Sequence, residues 1–429
     1  MNTTLRDSPA DDASRVDVSI VMPCLDEARC LPVCVANAME LLGMLRERMA
    51  MRGEIVVADN GSTDGSQAIA TSLGARVVYV PRRGYGAALI GGAQAARGRY
   101  IVMGDCDGSY DFREAFDMVA ALRNGADVCM GSRFKGSIAP GAMPWKNRYI
   151  GNPVLTGVLN LLFRSGIGDA HCGLRALTKE CFLDLGLCGS GMEFASEMVI
   201  KAALKGHRLD EVPVTLSRDL RDRPPHLRPW RDGWRHLRYI LMLSPGWLFG
   251  LPAAALGVVS LGILVYATAI ALMGLSGLSM IGNYWVILAG AMLGMSHVAM
   301  ILASASHLYG VREGYRRPGP WTPRLARGVS LESMLLSGVG LALCGLVTLA
   351  LVVVHWSAVQ YGPIANEMPA VAGTTMVVMG TQNALGGFLL AILCGNEADF
   401  LNERNAGRRR TDVGYEETPV AGAAAREAA

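Results

Sequence analysis

Charge is scarce in this 429-residue chain: Asp, Glu, Lys and Arg together make 18% of it, apolar residues make 51%, and mean hydropathy is +0.29. Soluble domains of ordinary composition carry about 25% charged residues, so the deficit points to membrane segments. It is also localised. Residues 245–275, 284–308, 333–354 and 368–395 contain no Asp, Glu, Lys or Arg at all, each over the ~20 residues that a helix needs to cross a bilayer. One such run could be a buried core helix, but four in one half of the chain read as four transmembrane helices. The start of the chain has no apolar run after a basic segment, so no cleavable signal peptide is expected. The ten cysteines show no CxxC spacing, which argues against a zinc site or a disulfide frame and for reduced thiols. A formal charge of +3 is too small to suggest a nucleic-acid partner.

The basic residues are unevenly placed. Arg312, Arg316, Arg317, Arg324 and Arg327 fall between the second and third apolar runs, and Arg404, Arg408, Arg409 and Arg410 follow the fourth, whereas the other two connectors carry no basic residue. The positive-inside rule then puts both termini in the cytosol, with the protein integral to the inner or plasma membrane. Residues 218–238, just before the first run, hold seven arginines against three aspartates. Within them Trp230, Trp234, Leu237 and Leu241 recur at helical spacing while Arg231, Arg235 and Arg238 take another face. That pattern suits a helix in the headgroup plane; a helix packed on the soluble domain is the competing reading.

The first half alternates strand-like and helix-like stretches. A β-branched run over 16–22 precedes Pro23-Cys24-Leu25-Asp26-Glu27, then a helical pattern to about Met51; strands over 54–58, 75–80, 100–103 and 127–131 alternate with helices beginning after Gly65 and over 87–96 and 113–124. Such a succession predicts an α/β, mostly parallel, Rossmann-like sheet. Ligands bind beyond the carboxyl ends of its strands, and Asp26, Asp59 and Asp105 each fall at a predicted strand end. The fourth strand runs into Asp105-Cys106-Asp107. Residues two apart on an extended backbone share a face, so both carboxylates can aim at one point. That point suits Mg2+ or Mn2+, completed by substrate phosphates and water, and so implies a diphosphate substrate. A polar turn after a buried strand is the bland alternative. Gly84-Tyr85-Gly86-Ala87-Ala88-Leu89 lacks the third glycine of a dinucleotide-binding turn and does not follow the first strand. Gly84 can still bring backbone close to a phosphate beside Arg82 and Arg83, or simply open a helix.

Read in order, Pro23-x-x-Asp26-Glu27, Asp59-Asn60-Gly61-Ser62-Thr63-Asp64-Gly65, Pro81-Arg82-Arg83-Gly84-Tyr85-Gly86 and Asp105-Cys106-Asp107-Gly108-Ser109-Tyr110-Asp111 resemble a family 2 glycosyltransferase of the GT-A fold. The resemblance is narrower still to dolichol-phosphate mannose and polyprenyl-phosphate glucose synthases, and it covers residues 16–238. It implies that Pro23, Asp26, Glu27 and Asp59 hold the nucleotide, joined by Arg82 and Gly84, and that Asp105 and Asp107 hold the diphosphate and metal. Arg133, Lys135, Arg148 and Arg223 match positions on the acceptor-phosphate side, where arginine's planar fork suits phosphate oxygens. Asp169 and Arg175 match a further segment, in which they shape the site or pair with one another. Ser109 stands where the mannose synthases carry glutamine, which leaves a third protein ligand for the metal open. The Gln-x-x-Arg-Trp motif of processive synthases is absent, so one sugar per turnover is expected.

The expected organisation is a disordered segment 1–15, a GT-A domain 16–228, an amphipathic interface helix 229–244, a membrane domain 245–395 and a cytosolic tail 396–429. The resemblance implies inverting transfer from a nucleotide-diphosphate sugar, UDP-glucose before GDP-mannose, to a polyprenyl phosphate, with homo-oligomerisation left open. A phosphate monoester has a second pKa near ~6 and is already charged at neutral pH, so this acceptor needs no strong base. A diacylglycerol acceptor would need one; a non-catalytic scaffold or lipid transporter would need neither acidic residue.

Overall fold

In the computed structural model, residues 16–222, 229–273, 282–314, 316–362 and 367–394 are described. They fall into two compact units that divide between Ile240 and Leu241. Arg223, the segment 1–15 and the tail 396–429 lie outside the described residues.

The first unit is built on seven strands: β1 (Val18–Cys24), β2 (Gly53–Asp59), β3 (Arg76–Tyr79), β4 (Tyr100–Met103), β5 (Val128–Ile138), β6 (Arg175–Thr178) and β7 (Leu209–Leu216). Between them run α1 (Leu31–Met49), α2 (Ser66–Ser72), α3 (Tyr85–Ala95), α4 (Ala115–Arg123), α5 (Asn152–Phe163), α6 (Lys179–Leu185) and α7 (Phe194–Lys205), and α8 (Pro229–Met242) follows β7. The sheet order is β3-β2-β1-β4-β6-β5-β7. All neighbours are parallel except β6, which runs antiparallel to both β4 and β5. β1 and β4 read as continuous apolar runs because helices cover both sheet faces. Val18, Ile20, Met22 and Val102 are fully buried against Leu31, Leu41 and Leu45 of α1 and Phe112 and Met118 by α4.

All five expected strands are present, and β4 alone keeps the expected ends. β1 extends to Cys24, and β5 continues to Ile138 because its outer half pairs with β7 after an irregularity between Ser132 and Ser137. The antiparallel β6 was not foreseen. It brings the 169–175 segment back to the carboxyl end of β4, pairing Met103 with Arg175.

In helix α8, Asp232, His236 and Ile240, four residues apart, are buried, while Trp234 and Met242 are exposed.

The second unit is helical: α9 (Leu251–Leu272), α10 (Asn283–Arg312), the short α11 (Thr322–Gly328), α12 (Leu331–Ala358) and α13 (Met368–Cys394). A π-helical turn, Gly246–Gly250, leads into α9. Among the described residues four segments are long and apolar enough to cross a membrane: Gly246–Leu272, Tyr284–Arg312, Leu331–Ala358 and Met368–Leu393. α12 and α13 pack backbone to backbone: a Cβ on Gly338 would lie 2.7 Å from Gly380 O, and one on Gly345 would lie 2.6 Å from Gly373 O. Small residues at such crossings are how helices associate where lipid removes the hydrophobic drive.

Candidate active site

A crevice of about 960 Å3 opens beyond the carboxyl ends of β1, β2 and β4, lined by Pro23, Glu27, Asn60, Gly84, Asp105 and Asp107 among others. Asp26 and Asp59, expected to hold the nucleotide, are not in its lining; both carboxylates are bonded to the turn that follows β2. Asp26 takes a left-handed backbone (φ 56) that an aspartate tolerates, and its Oδ1 accepts from Thr63 N at 2.7 Å. Asp59, 1% exposed, folds its carboxylate back into its own turn, accepting from the N–H groups of Gly61 and Ser62 and from Gln67 Nε2. Asn60 ties that turn to the next loop: its Nδ2 donates to Val80 O and Arg82 O, and its Oδ1 accepts from Gly84 N at 2.7 Å.

Gly84 has φ 132, and a Cβ there would sit 2.1 Å from Ser190 O; one on Gly86 would sit 2.2 Å from Gly189 O. The close approach these glycines permit is by the chain's own 189–191 loop. Glu197 on α7 holds that loop, accepting from Cys188 N and Gly189 N, and its charge is balanced by Lys201 at 2.7 Å.

Asp105 is half-buried at the crevice floor, receives a hydrogen bond from Tyr85, and has its pKa raised to about 6, first by burial and then by Asp107. Gly173 is needed beside it, because a Cβ there would come within 2.3 Å of Asp105 Oδ2. Asp107 is buried; its Oδ1 accepts from Ser109 N at 2.9 Å and Ser109 Oγ at 2.6 Å. Ser109 therefore orients the carboxylate. On the other side Arg221 bridges two acids, with Nε 2.7 Å from Glu27 Oε1 and Nη1 3.1 Å from Asp107 Oδ2.

The crevice is cationic as a whole. Among the described residues, seven arginines line it (Arg83, Arg133, Arg175, Arg218, Arg221, Arg231, Arg235) against five acids (Glu27, Asp105, Asp107, Asp219, Asp232). Arg133 is clamped by the wholly buried Asp169, with Nε at 2.6 Å and Nη2 at 2.7 Å from its two oxygens. Asp169 thus pairs with Arg133 and not with Arg175. Arg175, 1% exposed, donates from Nη2 to Cys172 O, lies 5.6 Å over the Phe194 ring and leaves Nη1 without a hydrogen-bond partner. Lys135 is taken by Glu211 at 2.7 Å. Arg148 stacks over Tyr149, and among the described residues neither it, Lys135 nor Arg82 is in the crevice lining.

Reading the residues alone missed Arg221, Asn60, Tyr85 and a buried relay in which Ser196 Oγ bridges His171 Nε2 (3.2 Å) and His236 Nδ1 (2.8 Å). Burial lowers the pKa of both histidines, His236 to about 4, so both are neutral at physiological pH. The arginine-rich stretch 218–238 was a signal for Arg221; the others carry none in local pattern.

Residues 19–186 match the family model for glycosyl transferase family 2, and residues 304–394 match that for the glycosyltransferase family 2 C-terminal transmembrane region. The low-salt glycan biosynthesis hexosyltransferase Agl6 of Haloferax volcanii is 35% identical over 388 residues, spanning 90% of this chain and 91% of that protein. The chain belongs to glycosyltransferase family 2. A dolichyl-phosphate hexose transferase of the same organism is 31% identical over 38% of this chain and 69% of its own length. Among solved structures, glucosyl-3-phosphoglycerate synthase from Mycobacterium tuberculosis in complex with Mn2+ and uridine-diphosphate-glucose aligns with TM-score 0.41 and 21% identity, over 54% of this chain and 80% of that one. As a family 2 enzyme this protein transfers sugar, and its mostly parallel sheet is the GT-A domain that the motifs implied, followed by a membrane region.

Proposed function

We propose that this glycosyltransferase moves one sugar from a nucleotide-diphosphate donor, UDP-glucose in preference to GDP-mannose, to a polyprenyl phosphate at the cytosolic membrane face, with inversion at the anomeric carbon. The observation that carries this reading is one crevice with a carboxylate pair on its floor and arginines along its wall. The similarity to a dolichyl-phosphate hexose transferase supports the acceptor class; the donor preference rests on the family resemblance.

The residues present fit a small hard dication. Asp105 and Asp107 line the same space, and a cation would relieve the mutual repulsion that contributes to the raised Asp105 pKa. Among the described residues no cluster of three or more His, Cys, Asp or Glu competes as a metal centre. Two carboxylates plus phosphate oxygens and water match the Mg2+ or Mn2+ preference. When bound, such an ion supplies Lewis-acid neutralisation of the charge developing on the departing diphosphate.

The chain's own groups do the rest. Arg133, which lines the crevice, is held in place by its fork on Asp169, so the guanidinium is already oriented when a phosphate arrives. Catalytic base strength is low. His171 and His236 are poor bases because burial lowers their pKa values, and both oxygens of Asp169 are engaged by Arg133. That suits a nucleophile already ionised at neutral pH and disfavours a diacylglycerol hydroxyl.

Membrane docking of this unit is supported by two apolar faces. Trp145, Tyr149, Ile150, Val154 and Leu161, along the turn before α5 and α5 itself, are all more than half exposed, as is Trp234 on α8. Exposed apolar area of this kind marks an interaction surface, and aromatic residues favour the headgroup zone.

The test offers purified protein a panel of nucleotide sugars with undecaprenyl phosphate and Mn2+ and identifies the glycolipid by mass spectrometry. Polyprenyl-phosphate hexose is expected from one donor, and Asp107→Ala should lower turnover by about 100-fold or more while folding is retained. Product on diacylglycerol alone, or full activity in the variant, would refute the reading.

A further inference from the structure

We propose that Arg221 and a divalent cation compete for Asp107, so that cation and nucleotide load together. This rests on the metal-dependent reading above.

Both Asp107 oxygens are engaged: Oδ1 by Ser109 and Oδ2 by Arg221 Nη1. A cation binding this carboxylate at about 2.1 Å would press against a guanidinium on the same group. Arg221 is not a wandering surface side chain. Ser217 N donates to Ser109 O and Leu220 N to Asp107 O, both at 2.9 Å, and Leu220 covers the open face of Gly108. The strand end that carries Arg221 is thus zipped along the loop that carries the acidic pair.

Charge explains why the nucleotide must accompany the ion. Glu27, Asp105, Asp107 and Arg221 together carry two net negative charges, and among the described residues seven arginines against five acids leave the crevice as a whole net positive. A dication alone would add two further positive charges to that crevice. A diphosphate brings about two negative charges with it and restores the balance. Arg221 Nε keeps its bond to Glu27 as a pivot while Nη1 leaves Asp107.

The test is an electron paramagnetic resonance titration of Mn2+ into full-length protein, with and without uridine or guanosine diphosphate. Wild type, Arg221→Gln, Arg221→Lys and the control Arg29→Gln are compared; Arg29 pairs with exposed Asp222 beside the site. Arg221→Gln should bind Mn2+ alone about ten-fold or more tightly than wild type, and the factor by which nucleotide tightens Mn2+ should shrink in proportion. Arg221→Lys, which keeps a charge but loses the two-pronged bridge, should fall between. Equal Mn2+ affinity in wild type and Arg221→Gln, an undiminished nucleotide effect, or an equal gain in Arg29→Gln would overturn the inference while leaving metal dependence standing. Failure of wild type to bind Mn2+ even with nucleotide would remove the metal-dependent reading itself, and this inference with it.

Discussion

Asp105 shows how the same residue serves chemistry and burdens the fold. Its carboxyl pKa is raised from 3.8 to about 6, by burial first and Asp107 second. The folded protein therefore keeps a proton that the unfolded chain has released, and stability falls as pH rises from about 4 to about 6, with the full penalty present above 6. Asp105→Asn removes the titrating group. The variant should lose transfer activity yet gain on the order of 1–3 kcal/mol of stability at pH 7.5 without divalent cation, discounted because one side of Asp105 faces the crevice; the gain should vanish near pH 4. Denaturation of wild type and variant at both pH values checks this, and a stability loss at pH 7.5 would contradict it. At this scale the sequence was half legible. The acidic pair was legible only in company: alone it reads as a polar turn after a buried strand, and the ordered motifs around Asp26, Asp59 and Gly84 gave it meaning. Choice of partner did not: Asp169 could pair with either Arg133 or Arg175, and only the antiparallel return of β6, a long-range pairing, decides it. Arg221 lay in a visible arginine cluster, but nothing local distinguished it from Arg223.

Elements were easier to read than partners, since hydrophobic period and turn chemistry are local. The strand ends that present Asp59 and Asp105 and the four apolar helices follow from runs of residue type alone. Sheet order does not, because β6 reads like any short strand and its direction depends on what lies on either side. The glycines of α12 and α13 were equally silent: in sequence they look like helix weakeners, and in the structure they are the contact itself. A Cβ on Gly380 would come 2.5 Å from Gly338 O and 2.6 Å from Ala342 N, both backbone atoms that cannot rotate away. Gly380→Val should therefore spread the hairpin and cost about 1–3 kcal/mol or more. Gly340, with nothing near its Cβ position, is the matched control, and Gly340→Val should cost little beyond helix propensity. Thermal melting of detergent-solubilised variants separates them; equal melting would mean that the close crossing does not support the bundle.

For the whole molecule, orientation in the membrane follows from where the arginines and the helix ends gather. Within the second unit Arg316 donates to Leu243 O ahead of α9, and Arg312, at the end of α10, donates to Leu393 O at the end of α13. The start of the first span and the ends of the second and fourth thus share one end of the bundle, and that end bears the basic loop containing Arg312, Arg316, Arg317 and Arg324. The connectors at the other end hold one acidic residue, Glu367, and no basic one. Moving arginines across a bilayer is costly, so the basic end should stay cytosolic, together with the GT-A unit that precedes the first span. In a background with all ten native cysteines replaced, a single cysteine at Ser279 should react with a membrane-impermeant thiol reagent in intact cells, and one at Arg317 only after permeabilisation. The opposite pattern would put the sugar-transfer crevice outside the cytosol, away from any pool of nucleotide sugar, and the proposed donor would have to be abandoned.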